Sequence, residues 1–316
     1  MVSVAVSILS FNSTVQTLEC VQSFLSVSDQ ENQVYSLALF VADNGSSDEE
    51  QRLLKQSLSE LPATQTVSIR HIQHRQNMGF AAGHNSNIEF ILRHGKADFI
   101  WLLNNDCLVN PNTTAELIKS AAKRPDVGIW GATVLEQNGQ TIQCAGGCFY
   151  SPWLSTFRQY GQGLSLEQLS GLNEQKFDYL SGASLFFPVK VLQEGLLKPA
   201  GNGSGLPWLN EAFFLYFEEL DLARRLKPEL TMGWCKQALL THIGGSSTGT
   251  SGNNRSAAAE YHSSLSALKF TRIYYPRRLW LVAVVRYILK CFQLLIKGRF
   301  RLLAPLTRAY RDFWFA

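Results

Sequence analysis

The first 110 residues alternate between short apolar runs and polar segments. Short apolar runs bounded by turn-forming residues are typical of buried strands; here they cover residues 2–9, 37–42, 67–72 and 99–103. The segments between them have the composition of helices and cover residues 14–25, 49–58 and 80–93. Strands that alternate with helices predict an α/β fold built on a parallel, doubly wound sheet.

Polar residues follow the strands of this half at the point where each one ends. The carboxyl ends of parallel strands meet at one edge of a sheet, which is where such sheets bind ligands. We therefore expect a shared crevice formed by Ser10, Asn12, Asp43, Asn44, Arg75, Asn77, Asn104 and Asp106. The small residues of 77–85, including Gly79 and Gly83, would let the backbone approach a phosphate or a ribose there.

The fourth strand runs directly into Asn104, Asn105 and Asp106. One carboxylate flanked by two amides suits Mg²⁺ or Mn²⁺, which prefer oxygen ligands and also bind phosphate oxygens. A simple polar turn after a strand is the alternative for this triplet.

A second acidic cluster, Glu218, Glu219 and Asp221, follows the aromatic and aliphatic residues 213–217. Acids at the start of a helix interact favourably with its dipole, which is the structural interpretation. An apolar wall beside a carboxylate also raises its pKa toward the range of a general base, which is the catalytic interpretation. His242 lies just before a Gly/Ser loop; it is either a packed histidine or a metal ligand.

The second half has a less regular pattern. It predicts helices at 111–123 and 257–272, strands at 127–135, 177–188 and 231–237, a Gly-rich extended segment at 141–150, a mobile loop at 160–174 and a flexible loop at 200–205.

The composition is that of a globular protein, with 46% hydrophobic and 17% charged residues among 316. Charge is unevenly placed: from Lys269 onward eleven basic residues face one acid, Asp312. This asymmetry predicts an anionic partner for the C-terminal region. The six scattered cysteines predict reduced thiols, and residues 2–9 do not resemble a signal peptide, so we expect a cytosolic protein.

Residues 279–296 form an apolar segment that carries Arg286, Lys290 and Gln293, with Lys297 beyond. Their spacing places them on one stripe of a helix, opposite an apolar face that includes Trp280, Val284, Ile288 and Leu295. This pattern predicts a helix lying in the interface of an anionic membrane rather than crossing it. The alternative is a helix packed on the domain with its basic residues in water.

Seven motifs, in this order, give the chain a resemblance to the family 2 glycosyltransferases, and within them to the bacterial rhamnosyltransferase-like enzymes of cell-surface polysaccharide synthesis. The resemblance covers residues 2–275. The motifs are VSILSFN at 6–12, VADNGSSD at 41–48, NMGFAAGHN at 77–85, LLNND at 102–106, SGA at 181–183, FLYFEELDL at 214–222, and His242 with its Gly/Ser loop.

The resemblance implies a glycosyltransferase-A type, Rossmann-like mixed sheet flanked by helices, with a C-terminal helical extension. It implies an inverting, metal-dependent transfer of a sugar from a nucleotide-sugar donor, dTDP-rhamnose first and UDP-sugars next. The acceptor would be a hydroxyl of a lipid-linked or growing cell-surface glycan, and no nucleic acid is expected as a partner.

The same resemblance assigns roles to individual residues. Asp43 would contact the base or ribose, and Asp106 with His242 would hold Mg²⁺ or Mn²⁺. Glu219 would be the base, with Glu218 or Asp221 as its neighbour; the choice between Glu218 and Glu219 stays open. The other donor residues would be Ser10, Asn12, Asn77, Gly83, Asn85, Asn104 and Asn105. Asn104 stands where the family usually has the first Asp of its metal motif, which removes one charge.

We therefore expect a catalytic domain at 1–250, with a donor half at 1–110 and an acceptor half at 111–250. The extension at 251–316 would attach it peripherally to the inner face of the cytoplasmic membrane. Two alternatives remain: a nucleotidyltransferase, which should carry a Gly-rich signature with Lys or Arg where residues 10–13 have none, and a catalytically inactive membrane scaffold.

Overall fold

The structure is a computed structural model that describes residues 1–28, 35–62, 64–194, 196–199, 208–243 and 255–315. The predicted loops at 200–205 and directly after Ile243 lie outside the described residues. The strands are β1 (Val2–Ser10), β2 (Tyr35–Asp43), β3 (Val67–Gln73), β4 (Phe99–Asn104), β5 (Cys107–Val109), β6 (Val127–Leu135), β7 (Ile142–Ala145), β8 (Gly147–Ser151), β9 (Thr156–Gln159), β10 (Tyr179–Leu180), β11 (Ser184–Pro188) and β12 (Thr231–His242).

The helices surround this framework. They are α1 (Thr14–Ser28), α2 (Asp48–Ser59), α3 (Gly79–His94), α4 (Thr113–Lys123), α5 (Val189–Gln193), α6 (Glu218–Arg225), α7 (Ala257–Tyr274), α8 (Leu279–Ile296) and α9 (Leu303–Phe315). Short 3₁₀ helices cover Leu166–Gly171, Pro276–Arg278 and Phe300–Leu302.

The central sheet is mixed. Its strand order is β3-β2-β1-β4-β11-β6-β12-β5, with β7 paired to β6. The first four strands are parallel, as the sequence predicts. Strand β11 then runs antiparallel to both β4 and β6, and β5 runs antiparallel to β12. The α/β class and the mixed sheet are therefore confirmed, and the carboxyl ends of β1 and β4 open toward one side of the sheet.

Several predicted segments differ in detail from the structure. The strand expected at 177–188 is divided into β10 and β11, and the extended segment at 141–150 is divided by Gly146, whose φ is +84°. The mobile loop expected at 160–174 contains a 3₁₀ helix instead. Ser165 and Gln168 form a capping box at its start, and Leu169 is buried, which fixes this polar segment.

The C-terminal helices pack on the rest of the fold. In α7, the side chains of Ala267 and Phe270 are fully buried in the same hydrophobic cluster as Phe213 and Phe217, which precede α6. Helices α8 and α9 add smaller clusters around Leu268, Ala283 and Phe313, and around Leu294, Leu302 and Leu306. Helix α7 thus supports the segment that carries the acidic cluster. The boundary expected near residue 250 stays a prediction.

The structure contradicts, for two residues, the alternative in which α8 packs on the domain with its basic residues in water. The Arg286 side chain is buried and donates from Nη1 to the carbonyl of Ser155 at 2.7 Å, and Lys290 lies 3.2 Å from the buried carboxylate of Glu260. Buried polar partners draw these two residues inward, and the interfacial helix stays a prediction. The apolar face is exposed instead, at Trp280, Leu281, Val284, Ile288, Leu289, Phe292, Leu295 and Ile296.

Candidate active site

A cleft of about 560 Å³ opens at the carboxyl ends of β1 and β4. The donor half contributes strand-end residues, the loop before β11 contributes residues 181–183, and α6 contributes its first turn. Helix α8 closes another side with Arg286, Lys290 and Gln293. The cleft therefore brings together the acidic clusters that lie more than 100 positions apart in the chain.

Asp106 and His242 meet at one end of this cleft. Strand β12 pairs with β5, with His242 opposite Cys107, so the imidazole reaches the residue before Cys107. His242 Nε2 lies 3.0 Å from Asp106 Oδ1, and Nδ1 lies 2.9 Å from Gln143 Oε1. Burial lowers the pKa of His242, but the hydrogen bond and charge of Asp106 outweigh burial and raise it overall.

This pair has the donor atoms that a divalent cation requires. The ligand atoms of Asp106, Cys107 and His242 lie within 4.8 Å of one another. Burial, and then the charge of Asp106, raise the pKa of the Cys107 thiol well above its usual range, so the thiol stays protonated and is a poor ligand. Two ligands at right angles on an octahedral cation with bonds of about 2.1 Å lie about 3.0 Å apart, which matches the Asp106–His242 spacing. The residues therefore fit a cation held by one carboxylate and one imidazole.

The first turn of α6 presents Glu218 and Glu219 to the same cleft. The two residues before it, Tyr216 and Phe217, have φ of +67° and +75°. Such values are unfavourable for bulky side chains and are found where the surrounding structure enforces them, often at functional sites. One buried carboxylate oxygen of each glutamate has no hydrogen-bond partner in the part of the chain that the structure describes. The surrounding structure therefore positions both glutamates, while one oxygen of each receives no hydrogen bond from a described residue.

The two glutamates differ in their ionisation. Burial raises the pKa of Glu219 to about 7. Burial and then the charge of Glu219 raise the pKa of Glu218 well above its usual range. Glu218 therefore favours its protonated form, whereas Glu219, with a pKa of about 7, is partly ionised at neutral pH, which is the state that a general base requires.

Two glycines allow close approaches around these acids. A Cβ at Gly182 would lie 3.2 Å from Glu219 Oε1, so the SGA segment borders the carboxylate directly. Gly79 has φ of +82°, and a Cβ there would lie 2.4 Å from the carbonyl oxygen of Phe214. The next residue, Phe80, donates its N–H to that carbonyl at 2.8 Å. The segment before α6 is therefore attached to the start of α3 in the donor half.

Among the predicted donor residues, Asn77 and Asn104 line the cleft. Asp43 is buried at the end of β2, where Oδ1 accepts the N–H of Ser46 at 2.8 Å. Its Oδ2 has no hydrogen-bond partner among the described residues. Asn44, which also lines the cleft, donates to Asn77 Oδ1 at 3.2 Å. Asn44, Asn77 and Asn104 are therefore the members of this group that face the cleft, and Asp43 is not among the residues that line it.

Asn85 does not line the cleft, contrary to the prediction. Its amide donates to the carbonyl of Leu209 and to Glu211, and its Oδ1 accepts the N–H of Leu209. Asn85 is buried and fastens α3 to the chain before α6.

Three other predicted donor residues hold the strand-end loops, and a fourth, Gly83, packs α3 against β1. Ser10 accepts a hydrogen bond from Thr17, and the Asn12 side chain accepts the N–H of Ser47. The Asn105 amide, although it borders the cleft, donates to Ser13 and Thr17. Gly83 packs against Leu9, where a Cβ would lie 2.8 Å from a methyl group. The polar side chains at these strand ends thus stabilise the loops in which they lie.

Asp221 is not part of the cleft either. It is buried, forms an ion pair with Arg225 at 2.6 Å, and accepts hydrogen bonds from Asn210 and Tyr274. These contacts explain an acid in the first turn of α6 by structure alone. Of the two predicted neighbours of the base, Glu218 therefore lines the cleft and Asp221 does not, although the charge of Asp221 adds to the raised pKa of Glu218.

No sequence pattern indicates Gln143, which contacts His242 from 99 positions away. None indicates Glu260 either, the buried carboxylate that pairs with Lys290 and Arg255. Long-range pairs of this kind depend on the packing of β7 and α7, which no local pattern specifies.

Comparison with known proteins is consistent with this geometry. The model of the family described as "Glycosyltransferase like family 2" matches residues 2–242. The low-salt glycan biosynthesis hexosyltransferase Agl10 of Haloferax volcanii is 25% identical over 199 residues, which are 62% of this chain and 55% of Agl10. The chain thus spans about half the length of this relative.

Solved structures share the fold at low sequence identity. The mannosyltransferase PcManGT from Pyrobaculum calidifontis, in complex with GDP-Man and Mn²⁺, gives a TM-score of 0.52 at 12% identity, over 99% of this chain and 87% of that one. Residues 1–349 of S. aureus TarS, in complex with UDP-GlcNAc, give 0.54 at 11% identity, over 98% and 80%. The fold is that of the GT-A glycosyltransferases. With its family model matching residues 2–242, the chain belongs to glycosyltransferase family 2.

Proposed function

We propose that this enzyme is an inverting, metal-dependent glycosyltransferase that moves a sugar from a nucleoside diphosphate to an acceptor hydroxyl. One observation carries the proposal: the Asp106–His242 pair and the Glu219 carboxylate line a single cleft. The first can hold a cation on a diphosphate, and the second can accept a proton. Both are needed for transfer with inversion, and the cleft is large enough for a small-molecule ligand.

Each group has a role in one displacement step. Glu219 takes the proton of the acceptor hydroxyl, and the acceptor oxygen forms a bond to the anomeric carbon. The bond from that carbon to the diphosphate oxygen breaks, and the nucleoside diphosphate leaves with the electron pair. Asp106 and His242 would hold Mg²⁺ or Mn²⁺, which would neutralise charge on the leaving diphosphate. Of the two glutamates, Glu219 is the better base at neutral pH, because burial and the charge of Glu219 raise the pKa of Glu218 well above its usual range.

The donor half would bind the nucleotide. Asp43 Oδ2, buried without a partner among the described residues, is suited to an N–H or O–H of the base or ribose. Asn77 and Asn104 would line the rest of that pocket. We favour dTDP-rhamnose and then UDP-sugars, on the resemblance given above; PcManGT with GDP-Man and TarS with UDP-GlcNAc show that solved structures of this fold hold nucleotide sugars.

We also propose that the enzyme acts at the inner face of the cytoplasmic membrane on a lipid-linked or growing cell-surface glycan. Within the described residues, Pro276–Ile296 is long and apolar enough to cross a membrane. Arg286 and Lys290 lie on its inward side, whereas its apolar side chains are exposed. This arrangement favours a helix lying in the interface with its apolar face in the lipid and its polar face on the protein.

A donor screen tests the proposal. Purified protein with Mn²⁺ is titrated with dTDP-rhamnose, UDP-glucose, UDP-GlcNAc and GDP-mannose, and slow donor hydrolysis is followed by release of nucleoside diphosphate. We expect binding and hydrolysis of one donor, both abolished by EDTA. Absence of binding to every donor, with and without metal, contradicts transferase activity by this cleft. Release of pyrophosphate rather than a nucleoside diphosphate points to a nucleotidyltransferase.

A further inference from the structure

Three basic side chains line the cleft away from the Asp106–His242 pair. They are Arg255, which precedes α7, and Arg286 and Lys290 on the inward side of α8. Arg255 Nε and Lys290 Nζ lie 2.7 Å and 3.2 Å from the Glu260 carboxylate, which is fully buried. One carboxylate thus serves two cations, and the third, Arg286, forms no ion pair with any described residue. The cluster of four side chains carries a net charge of +2.

Arg286 is the unusual member of this cluster. Its side chain is buried, and its contacts from Nη1 go to two neutral carbonyls, those of Leu154 at 3.3 Å and Ser155 at 2.7 Å. Its Nε is buried without a hydrogen-bond partner among the residues the structure describes. The charge of Glu260 acts on Arg286 without an ion pair among the described residues and is shared with Arg255 and Lys290. Buried positive charge in excess of its counter-charge is costly, and an arriving anion lowers that cost. Guanidinium groups also bind phosphate through paired hydrogen bonds.

We propose that Arg286, Lys290 and Arg255 form a phosphate-binding subsite within the cleft, separate from the metal ligands. This inference rests on the proposed transferase function only for the identity of its ligand. The phosphate would be part of a phosphorylated acceptor or of the donor diphosphate. Burial lowers the pKa of Lys290 to about 8, so this side chain is mostly charged at neutral pH and can pair with a phosphate.

The position of the subsite on α8 favours the acceptor as the source. Ile288 and Phe292, on the same helix, are exposed on the opposite side. If that side lies in lipid, Arg286 and Lys290 stand one helix diameter, about 10 Å, from the membrane. A phosphate that links a lipid to a sugar would enter the cleft at this distance from the membrane.

The test measures pyrophosphate binding to the full chain by calorimetry in EDTA, so that no cation at Asp106 and His242 contributes. Lys290→Gln and Arg286→Gln should each weaken pyrophosphate binding at least tenfold. Lys297→Gln, which removes the same charge from the exposed end of the helix, should change it less than twofold. Arg286 also binds the 154–155 backbone, so thermal melting is measured for each variant, and Arg286→Lys should recover part of the affinity. Wild-type affinity in a folded Lys290→Gln variant overturns the proposal.

A second titration, in the presence of saturating UDP and Mn²⁺, identifies the source. Pyrophosphate binding that persists beside the nucleotide assigns the subsite to the acceptor. Competition with UDP, together with weaker UDP binding by Lys290→Gln, assigns it to the donor diphosphate. The two proposals can fail independently. If the protein binds no nucleotide sugar but binds pyrophosphate through these residues, the transferase function is contradicted and the phosphate subsite is supported.

Discussion

His242 Nε2 and Asp106 Oδ1 lie 3.0 Å apart, although 136 positions separate the two residues in the chain. The pairing of β5 with β12 at the edge of the central sheet brings them together. Gln143, from β7, holds the other ring nitrogen at 2.9 Å. The imidazole is therefore oriented from both sides before any cation binds.

Gln143→Ala should weaken metal-dependent donor binding. Residues that orient a metal-bound histidine typically change metal affinity by about 10–100-fold when mutated. We expect a rise of that size in the Mn²⁺ concentration required for half-maximal donor binding. Gln137→Ala, in an exposed turn, is the matched control. An unchanged Mn²⁺ requirement for Gln143→Ala would show that His242 is not a ligand.

Glu219→Gln should abolish transfer while donor binding is retained. A positioned general base contributes about 10²–10⁴ to the rate, and the amide cannot accept the proton. Transfer is measured by single turnover at saturating donor, and donor binding by calorimetry. The control is Glu229→Gln, which alters an exposed glutamate outside the cleft. If Glu219→Gln transfers normally and Glu218→Gln does not, the roles of the two residues are exchanged.

The rate of transfer should depend on the ionisation of Glu219. Its pKa is raised to about 7, so the fraction of active base falls about tenfold per pH unit below that value and is constant above it. The turnover rate at saturating Mn²⁺ and donor reports this dependence. A rate that stays flat between pH 5 and pH 8 is incompatible with Glu219 as the base.

The same residue should make the fold less stable at high pH. A carboxyl whose pKa is higher in the folded state than in the unfolded state favours folding when protonated. Ionisation of Glu219 destabilises the fold as pH rises from about 4.5, the ordinary pKa of this side chain, to about 7, its pKa in the folded state. Replacing Glu219 by neutral Gln should therefore raise the free energy of unfolding at pH 8 by about 1–3 kcal/mol, and much less at pH 4. Denaturant unfolding at the two pH values measures the difference; equal effects would show that Glu219 ionises normally.

Phe292→Ser should weaken binding to vesicles. Phe292 is 62% exposed on the apolar face of α8, and transferring such a side chain into lipid is worth about 1.5–3 kcal/mol. We expect at least a tenfold loss of affinity for phosphatidylglycerol-containing vesicles in a flotation assay. Val15→Ser removes an exposed apolar side chain from α1 instead and should have no effect. Equal losses in both variants would mean that α8 has no special part in membrane binding.

The strands and helices of residues 1–110 could be predicted well because each one depends on a local pattern of apolar and polar residues. Each apolar run in residues 1–110 is one strand of a parallel sheet, so the strand ends, and with them Asp43 and Asp106, could be placed together before the structure was known. The acidic cluster could also be located, because Glu218 and Glu219 begin a helix after an apolar segment.

What the sequence could not show was how individual polar groups are used. Asn85 and Asp221 have the residue types of ligands, yet both are engaged in buried contacts. Asn85 bonds to Leu209, 124 positions away, and Asp221 pairs with Arg225 one helical turn away and accepts a hydrogen bond from Tyr274. The polarity of α8 was visible as a stripe, but which side faced water depended on Glu260, a buried acid in a different helix. The helical pattern shows that the two faces differ in polarity, but it does not show whether each face contacts protein, water or lipid.

The attachment of the segment before α6 to Gly79 and Phe80 uses main-chain atoms: the N–H of Phe80 and the carbonyl of Phe214. Side-chain identity at position 214 therefore does not set the hydrogen bond that holds this segment against α3. Substitution of the Phe214 side chain, which lines the cleft, would leave this main-chain link in place. Gly79 is the exception: any side chain there collides with that carbonyl, so a change at this one position would disturb the attachment of α3 to the segment that leads into Glu218 and Glu219.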